Sequence, residues 1–307
     1  MMSDQTSNTM STTLDKAKVD RLRSEAKARY LKDSYLLWCR NHLMITGTFI
    51  IVMLILVAIF ASLLATHDPY HQILKNRLYP PSSDHFFGTD NLGRDIFSRV
   101  VFGARITILI AFLVAFISTP IGTVVGILSG YMGGKTDEVL MRITDVFMAF
   151  PKLILAVAFA AALGPGVVNA IIAIAVVNWP SYARLARAET LAVRNHDYIQ
   201  VLRVMGAGDL RIMAGHILPM CLSSVIVRMS LDMGQIILTA AGLGFLGLGA
   251  QPPMPEWGLM VADGRLYLVD HWWVATLPGF AILTIVIGFN LLGDGVRDII
   301  DPHQRQS

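Results

Sequence analysis

The chain has 307 residues, of which 54% are hydrophobic and only 15% are charged, and its mean hydropathy is +0.56. These values exclude an ordinary soluble domain, because a soluble globule needs a charged exterior and a membrane-facing surface does not. The formal net charge of +3 comes without a basic stripe interleaved with aromatic residues, which excludes a nucleic-acid-binding protein.

Apolar segments recur along the chain at the length that a membrane-spanning helix requires. A hydrocarbon core of ~30 Å needs about 20 apolar helical residues, since a helix rises ~1.5 Å per residue. The sequence lacks the alternating ten-residue pattern of barrel strands. We therefore predict an all-α membrane protein with six transmembrane helices, at residues 43–65, 104–130, 139–163, 167–187, 217–241 and 274–293.

The distribution of basic residues predicts how the chain is oriented. Residues 1–42 are polar and basic, and the 23-residue apolar run at 43–65 is too long for a cleaved signal peptide, so it is predicted to be an uncleaved first helix. With the amino terminus inside, 17 Lys and Arg fall on the inner side and 6 on the outer side. We predict that segment 1–42, loop 188–217 and tail 296–307 are cytoplasmic.

The segment 66–103 is predicted to be an outer loop followed by an interfacial helix. Thr89 or Asp90 is suited to cap a helix that begins near Asn91. Asp90 with Arg94, and Asp95 with Arg99, would form ion pairs one helical turn apart. Docking of an external partner and a simple elbow resting on the membrane both remain open for this segment.

Two motifs resemble ligand sites, and we reject both. SGYMGGKT (129–136) approaches the phosphate-loop pattern, but it begins with serine and follows an apolar helix instead of a strand. His67 and His71 are separated by Pro69, which breaks the helix that would align them on a metal, so we predict a solvated loop and no metal site. A nucleophile paired with a base is also missing, and we predict no catalytic residues.

Charged residues occur inside the predicted transmembrane helices. Arg228 and Asp232 lie four residues apart, and Asp145 and Lys152 lie seven apart, so each pair is expected on one helical face. Such charges are costly in a membrane unless they meet one another or line a wet pathway. A structural pair and a translocation path therefore remain alternative interpretations of these four residues.

In the segment 242–260, four glycines are followed by three prolines in close order, so it cannot continue a helix throughout. It is predicted to be a re-entrant segment or a lid on the outer face, flanked by tryptophans that prefer the interface. Glu256 is its only charge, and Trp257 follows directly.

The cytoplasmic loop is predicted to contain two short helices joined at a glycine bend. The first helix, 198–205, carries a stripe of Ile199, Leu202 and Met205. Asp209 is predicted to cap the second helix, 210–217, which ends before Pro219. A protrusion that fits a partner's groove and an ordinary connecting loop both account for this pattern.

This loop resembles the cytoplasmic loop of ATP-binding-cassette importer permeases, whose motif is E-A-A-x-x-x-G-x(9)-I-x-L-P. Gly206, Leu218 and Pro219 fall at the matching positions, whereas residues 200–202 replace E-A-A and His216 replaces isoleucine. The resemblance implies that the segment couples the permease to an ATPase. The coupling residues that it implies are Tyr198, Gln200, Leu202, Arg203, Gly206, Ala207, Asp209, Leu218 and Pro219.

Three longer strings, HFFGTDNLGRDIFSRVVFGAR, GAQPPMPEWGLM and FNLLGDGVRDIIDP, resemble the dipeptide/oligopeptide/nickel permease group of these importers. The resemblance implies a type I importer permease (MetI-like) fold in a bacterial inner membrane, with a permease core at 104–295. It implies as partners a second permease, two ATPases that bind ATP and Mg, and a solute-binding protein, with no cofactor in this chain. A periplasmic gate or receptor-docking role is expected for Asp90, Arg94, Asp95, Glu256 and Trp257.

Other functions and several substrates remain open at this point. An ion-coupled carrier or a channel also places ionisable residues inside the membrane, although no convincing internal repeat is present. A membrane scaffold without transport would explain the loop but not the charges at 228 and 232. Among importers of this group, peptides, D,D-dipeptides, glutathione, opines and nickel are alternative substrates.

Overall fold

The computed structural model describes the backbone of residues 41–300 and the side chains of residues 41–298. The predictions for the cytoplasmic segment 1–42 and the tail 296–307 therefore lie mostly outside the described residues. The described part is helical, as predicted. The helices are α1 (His42–Ile59), α2 (Ala61–Leu64), α3 (Ile96–Met132), α4 (Gly134–Met148), α5 (Lys152–Leu163), α6 (Val167–Val193), α7 (Asp197–Val204), α8 (Asp209–Ile212), α9 (Leu218–Phe245), α10 (Trp257–Gly264) and α11 (Trp273–Ile300).

The first and last helices pack against each other in antiparallel orientation. A Cβ on Gly47 would lie 2.4 Å from the backbone nitrogen of Leu292, and one on Gly295 would lie 2.5 Å from Cβ of Met44. The Asn41 side chain donates a 3.0 Å hydrogen bond to Asp298. We call the end of the bundle that holds residues 41, 194–217 and 298 the lower end, and the end that holds residues 65–95 and 246–272 the upper end.

The tightest helix pair is formed by α3 and α6, which run parallel. Gly122, Gly126 and Gly130 face the α6 backbone, and a Cβ on either of the first two would lie 2.3 Å from a carbonyl oxygen of α6. Small residues four apart allow helix backbones to approach this closely. Gly133 and Gly134 then turn the chain at positive φ into α4. Both glycines belong to the SGYMGGKT motif, which therefore forms a turn between two helices.

Four of the helices are long and apolar enough to cross a membrane, namely α1, α3, α9 with the helical turns before it, and α11. A fifth span is possible if α4 and α5 act together. The predicted fourth span at 167–187 corresponds to α6, which interrupts its apolar residues with Asn169, Asn178 and Arg184 and is not among the spanning helices. Six spans therefore stay a prediction, while the all-helical class is confirmed.

The span predicted at 139–163 is divided into two helices, α4 and α5. The chain bends by 91° between α4 and α5, at the break that contains Pro151. Proline lacks the backbone N–H that would continue the helix, and it disfavours helical geometry at the residue before it. Asp145 and Lys152 consequently lie on two differently oriented helices and do not share a face.

The predicted interfacial helix from Asn91 is also wrong. The helix begins at Ile96, and its cap is Asp95, whose side chain accepts a 2.8 Å hydrogen bond from the backbone N–H of Ser98. Asp90 instead shapes the preceding turn by accepting hydrogen bonds from the backbone N–H groups of Leu92 and Arg94. Because Asp95 is also a good cap, propensity alone did not distinguish the two positions.

Candidate functional site

The loop at the lower end consists of a helix, a bend and a second helix, as predicted. Helix α7 ends at Val204, and Gly206 makes the bend with φ = +81°. However, Gly208 and not Asp209 precedes α8 as its cap residue. The prediction that the second helix ends before Pro219 is also wrong, because a five-residue π-helical turn joins α8 to α9 and Pro219 lies in the first turn of α9, where its missing N–H is tolerated.

Helix α7 is anchored to the bundle by apolar and polar contacts. Ile199 is fully buried in a cluster that includes Ile212 and Ile217. The Tyr131 hydroxyl, at the lower end of α3, donates a 2.7 Å hydrogen bond to Asp209. The Arg203 guanidinium lies over the Tyr131 ring, 4.8 Å from its centroid. The bend is thereby connected directly to α3.

The opposite face of α7 is apolar and exposed. Val204 is 89% exposed and Met205 is 77% exposed, with Val201 and Leu210 beside them. Met205 therefore does not belong to the buried stripe that the sequence predicted, because the turn leading to Gly206 points it away from Ile199. An exposed apolar patch at a bundle end is typical of a surface that binds another protein.

The remaining predicted coupling residues are structural neighbours of this patch. The Tyr198 hydroxyl donates to Sδ of Met220 at 2.9 Å, and the Gln200 side chain donates to the Asn195 carbonyl at 3.2 Å. Leu202 is half-buried, and its carbonyl accepts from the N–H of Ala207 across the bend. Leu218 is half-buried where α9 begins.

The charges predicted in the fifth span do form a pair. Nε of Arg228 donates a 3.1 Å hydrogen bond to Asp232, whose side chain is buried while that of Arg228 is 43% exposed. Lys152 on α5 interacts electrostatically with both residues and lies 3.4 Å from the side-chain oxygen of Asn178. Helices α5 and α9 therefore bring one carboxylate and two cations together inside the bundle, beside Asn178 of α6.

Asp145 does not join this group. It pairs with Arg184 at 2.7 Å, and both side chains are more than half exposed. Its predicted position on one helical face with Lys152 is wrong because of the bend between α4 and α5. A solvated pair of this kind contributes little to stability.

A cavity of about 490 Å³ opens at the upper end, and one of about 370 Å³ opens beside Arg228. The second cavity is lined by polar and apolar side chains of α6, α9 and α11, and Glu189, Ser224 and Arg297 are among the polar ones. Glu189 accepts a 2.6 Å hydrogen bond from Ser224. The cavity gives Arg228 an opening toward the lower end of the bundle.

The upper end is held together by three buried charged residues, which we call the buried clamp: Asp90, Arg94 and Arg99. Asp90 pairs with Arg94 at 2.6 Å, as predicted, although the pair lies in a turn. Arg99 does not pair with Asp95 as predicted; it lies 3.7 Å from Asp90 and donates to the carbonyl oxygens of Pro69 and Pro253. Arg94 also lies 3.9 Å from Asp263 on α10.

The segment after α9 folds into α10 instead of spreading along the membrane. Glu256 caps α10 by accepting hydrogen bonds from the N–H groups of Gly258 and Leu259, at 2.9 and 2.8 Å. Burial raises the pKa of Glu256 to about 6. Trp257 is buried and its indole N–H donates to the Val100 carbonyl, so the side chain packs inside the bundle.

All five residues predicted to form an outer gate or docking surface are buried, namely Asp90, Arg94, Asp95, Glu256 and Trp257. They do not form an exposed docking surface in this conformation. They connect the loop 66–95, the start of α3 and the segment 251–263 to one another. Any gating role would have to act through the movement of these segments together.

Sequence reasoning missed several residues that the fold brings to these sites. Tyr131 contacts Asp209 across 78 positions, and Arg187 forms a bidentate pair with Asp137 at 2.6 and 2.7 Å across 50 positions. Tyr182, fully buried in α6, lies close to Asp232. The sequence showed only that these polar side chains occur in or beside apolar helices. This does not identify the distant residue that each side chain contacts.

The family model for the inner membrane component of binding-protein-dependent transport systems matches residues 122–306. A second model, for the amino-terminal transmembrane domain of oligopeptide transport permease C, matches residues 30–81.

The chain belongs to this permease family. It is 50% identical over 260 residues to a probable D,D-dipeptide transport system permease of Escherichia coli, covering 85% of this chain and 87% of that one. It is 45% identical over 266 residues to a dipeptide permease of Alkalihalophilus pseudofirmus, covering 87% and 88%. A glutathione transport permease of Shigella flexneri is 46% identical over 264 residues, covering 86% and 87%.

A solved structure of the MetNI methionine ABC transporter has the same fold. It matches with a TM-score of 0.55 and 22% identity, covering 66% of this chain and 97% of that one. The MetI-like fold is therefore confirmed. The family also confirms that the chain is a non-catalytic permease subunit of an ATP-driven importer, which excludes the alternatives of an ion-coupled carrier, a channel and a scaffold.

Proposed function

We propose that this permease imports dipeptides or short oligopeptides, and that α7 couples its movement to ATP hydrolysis in a partner. The observation that carries the coupling proposal is the set of exposed apolar residues Val201 and Val204 on α7, Met205 at the bend and Leu210 on α8, in a loop fixed to α3 through Tyr131. An apolar helix face of this kind fits a groove in another protein. Because the bend is connected to α3, a pull on α7 reaches the bundle.

The proposed assembly contains a second permease, two ATPases that bind ATP and Mg, and a solute-binding protein. The lower end is proposed to face the cytoplasm, with residues 41 and 298 on the same side as α7. The excess of basic residues on the predicted inner side supports this orientation. The buried clamp at the upper end would then lie on the periplasmic side, where a solute-binding protein docks.

Peptides are the proposed substrate class because similar permeases carry dipeptide names and because the bundle offers both charge signs. A peptide has a cationic amino end and an anionic carboxyl end at neutral pH. Asp232 and the pair of Arg228 and Lys152 are suited to attract one end each. An acid and two bases inside the membrane are costly unless they meet one another or a charged solute.

Co-purification tests the coupling proposal. Val204→Glu places a charge on the α7 face, and Val269→Glu is the matched control, since Val269 is 94% exposed at the upper end. The chain is tagged, extracted from its native membrane in mild detergent and analysed by mass. We expect an ATPase to accompany the wild type and the Val269 variant and to be lost from the Val204 variant. Equal recovery of an ATPase with both variants would overturn the role of α7.

Uptake tests the substrate proposal. Cells that lack other peptide importers receive the complete transporter. The accumulation of a labelled dipeptide is then compared with that of labelled glutathione and nickel, which represent other substrate classes. We expect accumulation that unlabelled dipeptide suppresses. Accumulation of glutathione or nickel alone would overturn the peptide assignment while leaving the coupling result intact.

A further inference from the structure

Two histidines and an aspartate converge at the upper end of the bundle. Nδ1 of His85 lies 2.9 Å from Oδ1 of Asp95, and Nδ1 of His67 lies 3.9 Å from the same oxygen. The two imidazole rings have centroids 4.6 Å apart. The three ligand atoms all lie within 4.8 Å of one another. His67 lies in an exposed loop, as predicted, but the sequence did not show that its ring lies against that of His85.

The cluster is rigid on one side and accessible on the other. Asp95 and His85 are buried, whereas the His67 side chain is 41% exposed. The second carboxylate oxygen of Asp95 accepts from the N–H of Ser98, which fixes the carboxylate at the start of α3. The backbone N–H of His67 donates to Oγ of Ser98 at 3.0 Å, so the same serine also positions the exposed histidine.

These contacts are the kind of support that metal ligands need. Hydrogen bonds around a metal site hold its ligands in place and tune them. Asp95 and His67 are both held by Ser98, and Nδ1 of His67 also lies 3.0 Å from the Thr66 hydroxyl. A cavity of about 360 Å³ adjoins His67 and leaves room for a further ligand.

We propose that His67, His85 and Asp95 bind a divalent transition-metal ion of the Zn²⁺ type at the upper end of the bundle. Two imidazole nitrogens and one carboxylate oxygen are ligands that Zn²⁺ accepts at ~2.0–2.2 Å, with a fourth position left for water or another ligand. Metal binding would replace the contact between Nδ1 of His85 and Oδ1 of Asp95 and would draw His67 inward. The exposed position of His67 makes that movement inexpensive.

A metal here would connect segments that are distant in the sequence. His67 follows α2, His85 lies in the middle of the loop, and Asp95 caps α3. The bound ion would fix this loop on the helix that also carries the buried Arg99. The alternative is that His85 and Asp95 form only a hydrogen bond and that His67 stacks beside them without a metal.

Metal binding to the intact chain distinguishes these alternatives. The protein is purified in detergent with a tag that contains no histidine, stripped with a chelator and titrated with Zn²⁺ alone. His67→Ala removes the exposed ligand without opening the core. His71→Ala is the matched control, because it removes another exposed imidazole of the same loop that is outside the cluster.

We expect about one tightly bound Zn²⁺ per chain in the wild type and in the His71 variant. His67→Ala should weaken binding by roughly tenfold or more, since losing an outer-shell partner alone costs ~10–100-fold. Co²⁺ bound in place of Zn²⁺ should give the visible absorption of a four-coordinate site in the wild type and lose it in the His67 variant. If His67→Ala inserts poorly, His67→Gln is titrated in its place. Equal affinity in the wild type and the His67 variant, or no tight binding in the wild type, would overturn the proposal.

Discussion

The hydroxyl of Tyr131 donates a 2.7 Å hydrogen bond to the carboxylate of Asp209 and so joins the last turn of α3 to the first turn of α8. The two residues are 78 positions apart, and Arg203 from α7 covers the tyrosine ring. Movement of the α7 bend therefore reaches α3 through one side chain. The same helix α3 packs along α6 and holds the buried clamp at the upper end.

Tyr131→Phe should weaken transport while leaving the chain folded. The change removes the hydrogen bond to an exposed carboxylate, worth about 1 kcal/mol, together with a long hydrogen bond of 3.4 Å from Nε of Arg203, and it keeps the aromatic ring under Arg203. Such a loss corresponds to about a fivefold change in an equilibrium. Peptide uptake and ATP hydrolysis by the complete transporter are measured together. Tyr79→Phe is the control, because Tyr79 is exposed in the loop at the upper end, outside the coupling loop; an equal loss in both variants would contradict this role of Tyr131.

Exchanging the charges of Arg228 and Asp232 separates the two interpretations of this pair. Arg228→Ala alone should impair uptake under either interpretation, because it leaves Asp232 buried without its partner. The double variant Arg228→Asp with Asp232→Arg retains an ion pair with reversed polarity. If the pair lines the path, uptake stays low in the double variant at normal membrane abundance. Restored uptake would show that the pair is structural.

Glu256→Gln should remove a pH-dependent part of the stability. The folded chain raises the pKa of Glu256 from 4.5 to about 6 because the carboxyl is buried, so the folded state holds the proton more tightly. The protonated carboxyl contributes its full stabilisation below about pH 4.5, and this contribution is lost as the pH rises through 6. The free energy of unfolding should fall by about 2 kcal/mol over this range. The thermal midpoint in detergent is compared at pH 5 and pH 7.

The Glu256 variant should show a smaller fall of the midpoint between these pH values than the wild type. Its amide oxygen can still accept a hydrogen bond from the start of α10. Glu138→Gln serves as the control, since Glu138 is exposed on α4 and should leave the pH dependence as it is. An unchanged fall in the Glu256 variant would show that the carboxyl ionises without cost in the folded chain.

Gly126→Ala should destabilise the contact between α3 and α6. The added Cβ would lie 2.3 Å from the Ala183 carbonyl oxygen, so the backbones must separate, at a cost of about 1–3 kcal/mol. Gly279→Ala is the matched control on α11, because nothing lies within 4 Å of its added Cβ. Thermal midpoints in detergent should fall for the first variant and hold or rise slightly for the second. Equal midpoints would mean that the helices repack freely.

The sequence was sufficient for those features that depend on local patterns. Long apolar runs identified α1, α3, α9 and α11, because hydropathy alone decides whether a helix suits a membrane. The bend at Gly206 followed from the conformational freedom of glycine, and the ion pair of Arg228 and Asp232 followed from helical spacing. These inferences need no knowledge of what lies across the bundle.

Features that depend on distant parts of the chain were not predictable in the same way. Asp209 looked like a helix cap, yet it accepts a hydrogen bond from a tyrosine on another helix. Asp90 and Asp95 are equally suited by residue type to cap a helix. They differ in the fold, where His85 of the loop 66–89 contacts Asp95. Pro151 was visible in the sequence, but the size of the bend it allows depends on how α5 packs against α6. In each case a tertiary contact decided between two locally acceptable structures.

The contact between α1 and α11 has a consequence for the architecture as a whole. Because Asn41 meets Asp298, and Gly47 fits against the backbone near Leu292, the helices at the start and end of the described chain complete a closed circuit with α3 and α9. Helix α1 is thus an integral part of the helix bundle and does more than anchor a complete core in the membrane. A protease cut or deletion that removed it would leave a seam open along the length of the bundle, through which lipid tails could enter.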